Sequence, residues 1–139
     1  MKLSKEQLCQ LIPHAGEMCL LDRVEHWDDT TIVCTSSTHL DPANPLRNHD
    51  YLHAVCGVEY AVQAMAVHGG LLTAGLSTPG LLASVRDVHL SAQRIDNVQG
   101  QLEVRATRIM ADAGSLIYRF IVSAAETELV SGRATVLLQ

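Results

Sequence analysis

The sequence predicts an α+β fold in which an antiparallel sheet of about six strands wraps around one long central helix. The first observation is an apolar stretch at residues 54–72, which is long enough for a helix and too apolar to lie on a surface. The second is a set of short runs with strand-like composition, two before this stretch and four after it. Because an apolar helix must bury its faces against another layer, these runs are expected to form one sheet around it.

A short helix is expected from Ser4 to Ile12. Serine is a preferred N-cap residue, a glutamate follows in the first turn, and leucines recur at helical spacing. Pro13 cannot continue a helix, so the helix is expected to end before it.

A first strand pair is expected before the long helix. Residues 18–26 mix apolar and charged positions, and residues 31–38 are rich in β-branched side chains with a two-residue alternation. Asp28 and Asp29 lie between these runs and suit the turn that joins them. The following residues, 41–51, are mostly turn formers and are expected to make an ordered loop that leads into the long helix.

Four strands are expected after the long helix, following a break over residues 75–80. Turn-forming residues at 96–97, 112–114 and 126–127 suit hairpins, so the four strands are expected to run antiparallel in succession. The expected strands span residues 81–92, 99–110, 115–124 and 128–138. The order of helix, two strands, long helix and four strands is that of the hot-dog fold, and we expect a single domain over residues 1–139.

Composition excludes several classes of partner and location. The formal charge is -5, from 15 acids against 10 lysines and arginines with no basic run, so nucleic acid is not an expected partner. No apolar stretch reaches about 18 residues without a charge, and the first residues lack a secretory signal, so we expect a soluble cytoplasmic protein with no membrane segment. No metal site and no cofactor are expected, and free thiols are expected at Cys9, Cys19, Cys34 and Cys56.

Glu59 is the most informative residue, because it is the one acid within the apolar stretch 54–72. An ionised carboxylate buried without a partner is strongly destabilising, so an acid in such a helix is a candidate for chemistry. A second interpretation places Glu59 in the first turns of the helix, where water and the positive end of the helix dipole accommodate it without a catalytic role. His68, near the end of the helix, is expected to be a cation that faces the negative end of the dipole.

Three segments resemble a known family. The segment IPHAGEMCLLDRV at 12–24 resembles the LPHRxPxLLLDRV opening of the FabA/FabZ-type 3-hydroxyacyl-ACP dehydratases. The segment GVEYAVQAMAVHGG at 57–70 is similar to their central-helix pattern ExMAQ, and closer to the GIEYMAQ form of dehydratase-like proteins from aryl-polyene gene clusters. The segment GLLASVRDVHLS at 80–91 fits the family's third strand. The resemblance covers nearly the whole chain and implies the hot-dog fold.

The resemblance implies a catalytic pair shared between two subunits. In the family, the acid of ExMAQ and a histidine ahead of the helix meet across a dimer interface, and Glu59 matches that acid. Gln63 matches the family's glutamine and is expected on the same helix face as Glu59, where its amide can hold the carboxyl group or a substrate oxygen. Backbone N–H groups at the helix start are expected to polarise the thioester carbonyl; they belong to Ala54, Val55, Cys56 and Gly57.

The catalytic histidine is where this chain departs from the family pattern. The position that carries the histidine in the family motif, 14 residues before the acid, is Pro45 here. His53 and His49 are the nearby alternatives, and we favour His53 because it lies at the entry to the helix. For either one, the non-catalytic interpretation is a loop histidine bonded to backbone. Cys56 is expected to be a small core thiol rather than a nucleophile.

The resemblance implies dehydration of a 3-hydroxyacyl thioester on acyl carrier protein to the trans-2-enoyl thioester, in fatty-acid or polyene-type biosynthesis. The implied assembly is a homodimer, or a heterodimer with a related dehydratase subunit. Two alternatives stay open: a non-catalytic or half-active subunit that binds carrier protein or a partner, and an acyl-thioester hydrolase. Acyl carrier proteins are acidic, so docking needs a basic patch, for which the sequence offers the scattered residues Arg47, Arg86, Arg94 and Arg119.

Overall fold

The computed structural model describes residues 2–12, 18–73 and 80–138. Its helices are α1 (Lys5–Cys9) and α2 (Gly57–Leu72), and its strands are β1 (Arg23–Trp27), β2 (Thr31–Ser36), β3 (Gly80–Leu90), β4 (Leu102–Asp112), β5 (Ser115–Ala124) and β6 (Thr127–Leu138). Short 3-10 turns at Thr38–Leu40 and Ala54–Cys56 precede α2. The six strands form one antiparallel sheet in the order β1-β2-β4-β5-β6-β3. The predicted α+β hot-dog fold is confirmed.

The position of β3 differs from the prediction. β3 does not pair with β4; it lies at the sheet edge beside β6, with Leu90 opposite Val130. The hairpin predicted at 96–97 is therefore wrong, because the chain crosses there from the edge of the sheet to β4 in its middle. The other two hairpins are confirmed, and their turns include residues with the positive φ that tight turns need, Gly114 at 84° and Glu126 at 67°.

Helix α2 packs along the inner face of the sheet. Side chains facing each other across this layer are fully or nearly fully buried; they include Tyr60, Ala61, Ala64 and Val67 of α2 and Val104, Phe120, Val122 and Val130 of the strands. Gly57 lets the first turn of α2 approach β6, since a Cβ at this position would lie 3.0 Å from Val130 Cγ2. This close approach sets the distance between the sheet and the start of α2, where Glu59 lies.

Helix α1 has the predicted cap but is shorter than predicted. Ser4 accepts a hydrogen bond from the Gln7 N–H, and the two residues form a capping box. The helix ends at Cys9 instead of Ile12. Pro13, which was expected to end it, lies outside the described residues.

A disulfide joins Cys9 to Cys19, so the expectation of four free thiols is wrong for this pair. The two residues meet because α1 packs against the segment ahead of β1, where the Lys5 ammonium donates a hydrogen bond to the Leu21 carbonyl at 2.8 Å. Their Cα atoms lie 6.0 Å apart, within the range that a disulfide spans. Free thiols are found at Cys34 and Cys56.

Candidate active site

Glu59 lies in the first turn of α2, and its side chain is exposed in the single chain. The expectation of a buried acid is therefore wrong for one chain, because the acid occupies the helix start, where the dipole and water accommodate a carboxylate. Among the described residues, no cationic nitrogen comes within the 4.0 Å ion-pair distance of this carboxylate. The described residues therefore supply no partner for chemistry at Glu59, and a substrate or a second chain can approach its exposed side.

The exposed side of α2 forms an apolar stripe around Glu59. Val55 is 52% exposed, and Val62, Ala66 and Gly69 on the following turns are partly exposed. Glu59, Val62, Ala66 and Gly69 recur at steps of three and four residues, so they share one face of α2, and Val55 lies four residues ahead of Glu59 in the 3-10 turn. An exposed apolar stripe of this kind is typical of a surface that another chain covers.

His53 lies at the entry to α2, directly before the 3-10 turn at 54–56, and its side chain is exposed. Its ring packs against the Tyr51 ring, with 4.4 Å between the ring centroids. The Arg94 guanidinium lies over the same Tyr51 ring at 4.2 Å from its centroid, a cation–π contact. The three side chains form one stack, which limits the orientations open to the His53 ring.

The anchor of this stack is the ion pair between Arg94 and Asp96. Arg94 Nε donates to Asp96 Oδ1 at 3.0 Å, and Nη2 donates to Oδ2 at 2.5 Å. The Arg94 guanidinium lowers the pKa of the Asp96 carboxyl to about 2. The same carboxylate accepts a hydrogen bond from the Leu52 N–H at 2.9 Å. Asp96 therefore ties the residue just before His53 to the arginine that holds the stack.

The backbone around His53 is pinned on both sides. The Ala54 N–H donates to the Gln93 carbonyl at 3.0 Å, and the Ile95 N–H donates to the Leu52 carbonyl at 2.9 Å. His53 itself holds an extended conformation between these two bonds. The favoured histidine thus has a fixed position at the start of α2.

His49 occupies the tip of a two-residue hairpin. Asn48 and Tyr51 exchange both backbone hydrogen bonds, at 2.8 and 3.0 Å. His49 and Asp50 between them adopt φ values of 52° and 64°, as a type I′ turn requires, and both side chains are exposed. Within one chain, neither His49 nor His53 comes within 4.0 Å of the Glu59 carboxylate.

The Gln63 amide is buried and binds the segment ahead of β1. Its Oε1 accepts a hydrogen bond from the Leu20 N–H at 2.8 Å, and its Nε2 donates to the Met18 carbonyl. Gln63 is 7% exposed, whereas Glu59, one turn before it, is exposed. Both ends of the amide are thus occupied by backbone of the LLDRV-like segment. This role could have been suspected from the sequence, because the two segments that carry the family resemblance are the ones that it joins.

Three of the four backbone N–H groups expected to polarise a substrate carbonyl already have acceptors. Ala54 donates to Gln93, Cys56 donates to the His53 carbonyl at 3.0 Å, and Gly57 donates to carbonyls of the 3-10 turn. These backbone bonds leave the Val55 N–H without an acceptor in the described part of the chain. Val55 lies one helical turn from Glu59, so a free donor and the exposed acid share the start of the helix.

The Cys56 thiol is half-buried next to Glu59. Burial, and then the negative charge of the Glu59 carboxylate, raise the pKa of this thiol. A thiol that stays protonated is a poor nucleophile, so the geometry supports no covalent chemistry at Cys56.

His68 is fully buried, where a charged ring is unfavourable, so its expected role as a cation at the negative end of the dipole is wrong. Burial lowers its pKa. Its Nε2 lies 2.8 Å from the Asp28 carbonyl, which can only accept, so this nitrogen carries the proton. Its Nδ1 then accepts from the Tyr118 hydroxyl at 2.7 Å. The neutral ring links α2 to β5 and to the turn between β1 and β2.

Tyr60, which the sequence did not single out, holds the loop that leads to His49. Its hydroxyl lies 2.8 Å from Thr38 Oγ1 and accepts a hydrogen bond from Asn44 Nδ2 at 3.0 Å. The tyrosine directly follows the acid in the family-like segment GVEYAVQ, and this position was the one feature of the sequence that could have indicated its role. The loop before the helix is therefore held against α2 by hydrogen bonds to the Tyr60 hydroxyl.

No helix among residues 2–12, 18–73 and 80–138 is long and apolar enough to cross a membrane. The same residues contain no group of three or more His, Cys, Asp and Glu side chains placed to hold a metal ion.

Residues 6–139 match the ApeP-like family, whose members are described as ApeP dehydratase. The chain belongs to this family. The match confirms the resemblance to hot-dog dehydratases that the segments around Glu59 and ahead of β1 suggested. No curated protein sequence is significantly similar to the chain.

Solved structures share the fold. A chain of the dehydratase heterocomplex ApeI:P from Xenorhabdus doucetiae is 24% identical, with a TM-score of 0.83 over 99% of this chain and 91% of that chain. A thioesterase from Haemophilus influenzae is 16% identical, with a TM-score of 0.70 over 99% and 91% of the two chains. A mutant thioesterase from Pseudomonas aeruginosa is 15% identical, with a TM-score of 0.71 over 99% and 96%. Identities at this level show that the fold is shared, and they carry no information about the reaction.

Proposed function

We propose that this chain is one subunit of a dimeric dehydratase that converts a 3-hydroxyacyl thioester on acyl carrier protein to the trans-2-enoyl thioester and water, in polyene-type biosynthesis. The observation that carries the proposal is Glu59, the family-matched acid, which is exposed on an apolar stripe and has no base at ion-pair distance among residues 2–12, 18–73 and 80–138 of its own chain. Membership of the ApeP-like family supports the reaction class.

Loss of water needs a base at Cα and an acid at the departing hydroxyl. A neutral histidine takes the proton from Cα, the freed electron pair forms the Cα–Cβ double bond, and the C–O bond at Cβ breaks. Glu59, whose protonated form is favoured once the second chain and the substrate exclude water, gives its proton to the leaving hydroxyl, which departs as water. The histidine is then protonated and Glu59 ionised, so one proton passed from the histidine to Glu59 restores both groups.

The helix start supplies the remaining requirement, a donor for the thioester oxygen as negative charge develops on it. The free N–H of Val55 is suited to this role, because a fixed donor at a helix N-terminus stabilises an oxyanion without reorganising. Val55 and Glu59 lie on the same exposed side of the helix start, so one substrate can contact both.

A second subunit is proposed to supply the base. Two surfaces of the single chain are suited to such a contact: the apolar stripe on α2, and the outer edge of β3, which among the described strands pairs with β6 alone. On β3, Leu82, Val88 and Leu90 are 37%, 38% and 50% exposed. We assign the base to His53 from the second subunit, since its position is fixed by the stack on Tyr51.

The test is an incubation of the purified protein with 3-hydroxyacyl-ACP, alone and mixed with a related dehydratase subunit, followed by mass spectrometry for a product lighter by one water. Glu59→Gln should reduce turnover by about 100-fold or more, the usual contribution of a general acid. Loss of turnover in His49→Ala, with His53→Ala still active, would move the base to His49. Failure of every mixture to release water would contradict the proposed reaction.

A second candidate is a subunit that binds its partner but performs no chemistry itself. Pro45 stands where the family motif has its histidine, and a structurally similar chain comes from a dehydratase heterocomplex. In a mixture with an active partner subunit, this candidate predicts that Glu59→Gln and His53→Ala leave turnover unchanged. The leading proposal predicts that at least one of them abolishes it.

A further inference from the structure

Three arginines stand in a row on the outer face of the sheet, which is turned away from α2. Arg86 on β3 lies opposite Arg133 on β6, and Arg133 lies opposite Arg119 on β5. Residues directly opposite in antiparallel strands project from the same face. All three are exposed, while their neighbours Phe120 and Ala134 are buried in the core. The set of Arg86, Arg133 and Arg119 is termed the arginine row.

The arginine row is unfavourable for the isolated fold. Like charges placed directly opposite each other in a sheet repel. Within the described residues, one acid lies at ion-pair distance from the row, with Arg133 Nε 4.0 Å from the Asp87 carboxylate. Asp87 has a φ of 56°, a strained value for a residue other than glycine, at a bulge between Arg86 and His89. Repulsion and strain kept at one place on a sheet edge are typical of a binding site.

An open cavity of about 410 Å³ adjoins the row and is lined by Arg119 and Arg133. The other polar side chains of its lining are Asp87, His89, Glu128 and Ser131. Arg105 on β4, opposite Ile121, adds a fourth guanidinium to the same face. A single small anion inside the cavity would be repelled by the carboxylates of Asp87 and Glu128. A surface with several spaced carboxylates can instead contact the arginines on successive strands.

The spacing of the row fits one kind of acidic surface. Neighbouring strands lie about 4.8 Å apart, so the row extends over about 10 Å. Side chains on one face of an α-helix recur about every 5.4 Å along its axis. A helix lying across the strands, with an acid on each of three successive turns, would present one carboxylate to each guanidinium. Arginine binds carboxylates through paired hydrogen bonds, which adds orientation to the attraction.

We propose that the arginine row docks an acidic helix of the acyl carrier protein that delivers the thioester; this inference rests on the proposed function. A chain with a formal charge of -5 repels an acidic carrier over most of its surface. A row of three arginines, one of which has an acid at 4.0 Å, gives the encounter a preferred place and orientation. The sequence showed arginines far apart along the chain, and the sheet register brings three of them side by side.

The test uses unacylated acyl carrier protein, so that binding is measured without any reaction. Affinity for the protein, or for its complex with a partner subunit, is measured by calorimetry at about 0.05 and 0.15 M salt, because exposed charge contacts weaken with salt. Arg133→Glu and Arg119→Ser should each weaken binding, the first by about tenfold, and should flatten the salt dependence. The matched control is Arg23→Glu on β1, an exposed arginine outside the row, which should bind within about twofold of the unaltered protein.

Equal affinity of the row variants and the unaltered protein, or an equal loss in Arg23→Glu, would overturn the inference. A change in oligomeric state on Arg133→Glu, seen by sedimentation, would assign the face to a second copy of this chain and also overturn it. Turnover of a carrier-free 3-hydroxyacyl pantetheine thioester by the unaltered protein, alone and mixed with the related dehydratase subunit, reports on the proposed reaction separately. Failure of that turnover with intact, row-dependent binding would refute the reaction and leave the docking surface standing.

Discussion

Replacement of Gln63 by leucine should destabilise the protein by removing the bond between α2 and the segment ahead of β1. Leucine is of similar size but can neither donate nor accept, so the Leu20 N–H and the Met18 carbonyl lose their partner. Leu20 is 1% exposed, so an unsatisfied N–H at this position destabilises the folded state by about 1–3 kcal/mol. Met18 is 40% exposed and its hydrogen bond with Gln63 is only partly buried, so its contribution is smaller. The free energy of unfolding should fall by about 2–4 kcal/mol in total.

Urea denaturation followed by circular dichroism measures this change. Gln93→Leu is the matched control, since the Gln93 side chain is exposed, and its unfolding free energy should change by about 0.5 kcal/mol or less. The structural role would be refuted if Gln63→Leu were as stable as the control while turnover collapsed. That result would return Gln63 to the role expected from the sequence, in which its amide holds the Glu59 carboxyl group or a substrate oxygen.

Three further predictions concern stability and the stack around His53. Burial lowers the pKa of His68 in the folded state, so the unfolded chain binds a proton that the folded chain does not; unfolding free energies from urea titrations should fall as the pH drops below about 6.5, by up to about 1.4 kcal/mol per pH unit. Cys9→Ser opens a disulfide that spans a sequence separation of 10, and thermal melts should show a loss of about 2–3 kcal/mol, reproduced by reduction of the unaltered protein. Arg94→Lys keeps the charge but loses the planar contact with Tyr51; kcat should fall by about tenfold with a shifted pH profile, and an unchanged kcat would mean that the stack does not position His53.

The elements of the fold could be predicted from the sequence because each has a local signal. The apolar stretch gave α2, and the two-residue alternation gave β5 and β6 nearly residue by residue. The place of β3 had no such signal, since turn formers at 96–97 look the same in a hairpin and in a crossing between distant strands. There, pairing is decided by long-range packing, with Leu52 and Asp96 binding each other across the chain.

The candidate site was predictable in its residues and not in their surroundings. Glu59 follows from the family-like segment at 57–70 and His53 from its place at the entry to the helix, but the exposure of Glu59 depends on which side of α2 faces the sheet. The apolar residues around it are the same whether they bury against a strand or against a second chain, so composition alone predicts burial for both. The Cys9 to Cys19 disulfide depends on how α1 folds back, which no spacing rule reveals.

The pairing of β3 has a consequence for how the chain is made. In the described part of the chain its one partner strand is β6, which is synthesised after the other five strands of the sheet. At about 5–20 residues per second, some 2–10 s separate the synthesis of the end of β3 from that of the end of β6. During this interval an edge that carries exposed Leu82, Val88 and Leu90 waits without a partner and can pair with other nascent chains. Codon choice or a chaperone that acts during synthesis of β5 and β6 should therefore govern the yield of soluble protein, even though α2 is complete long before.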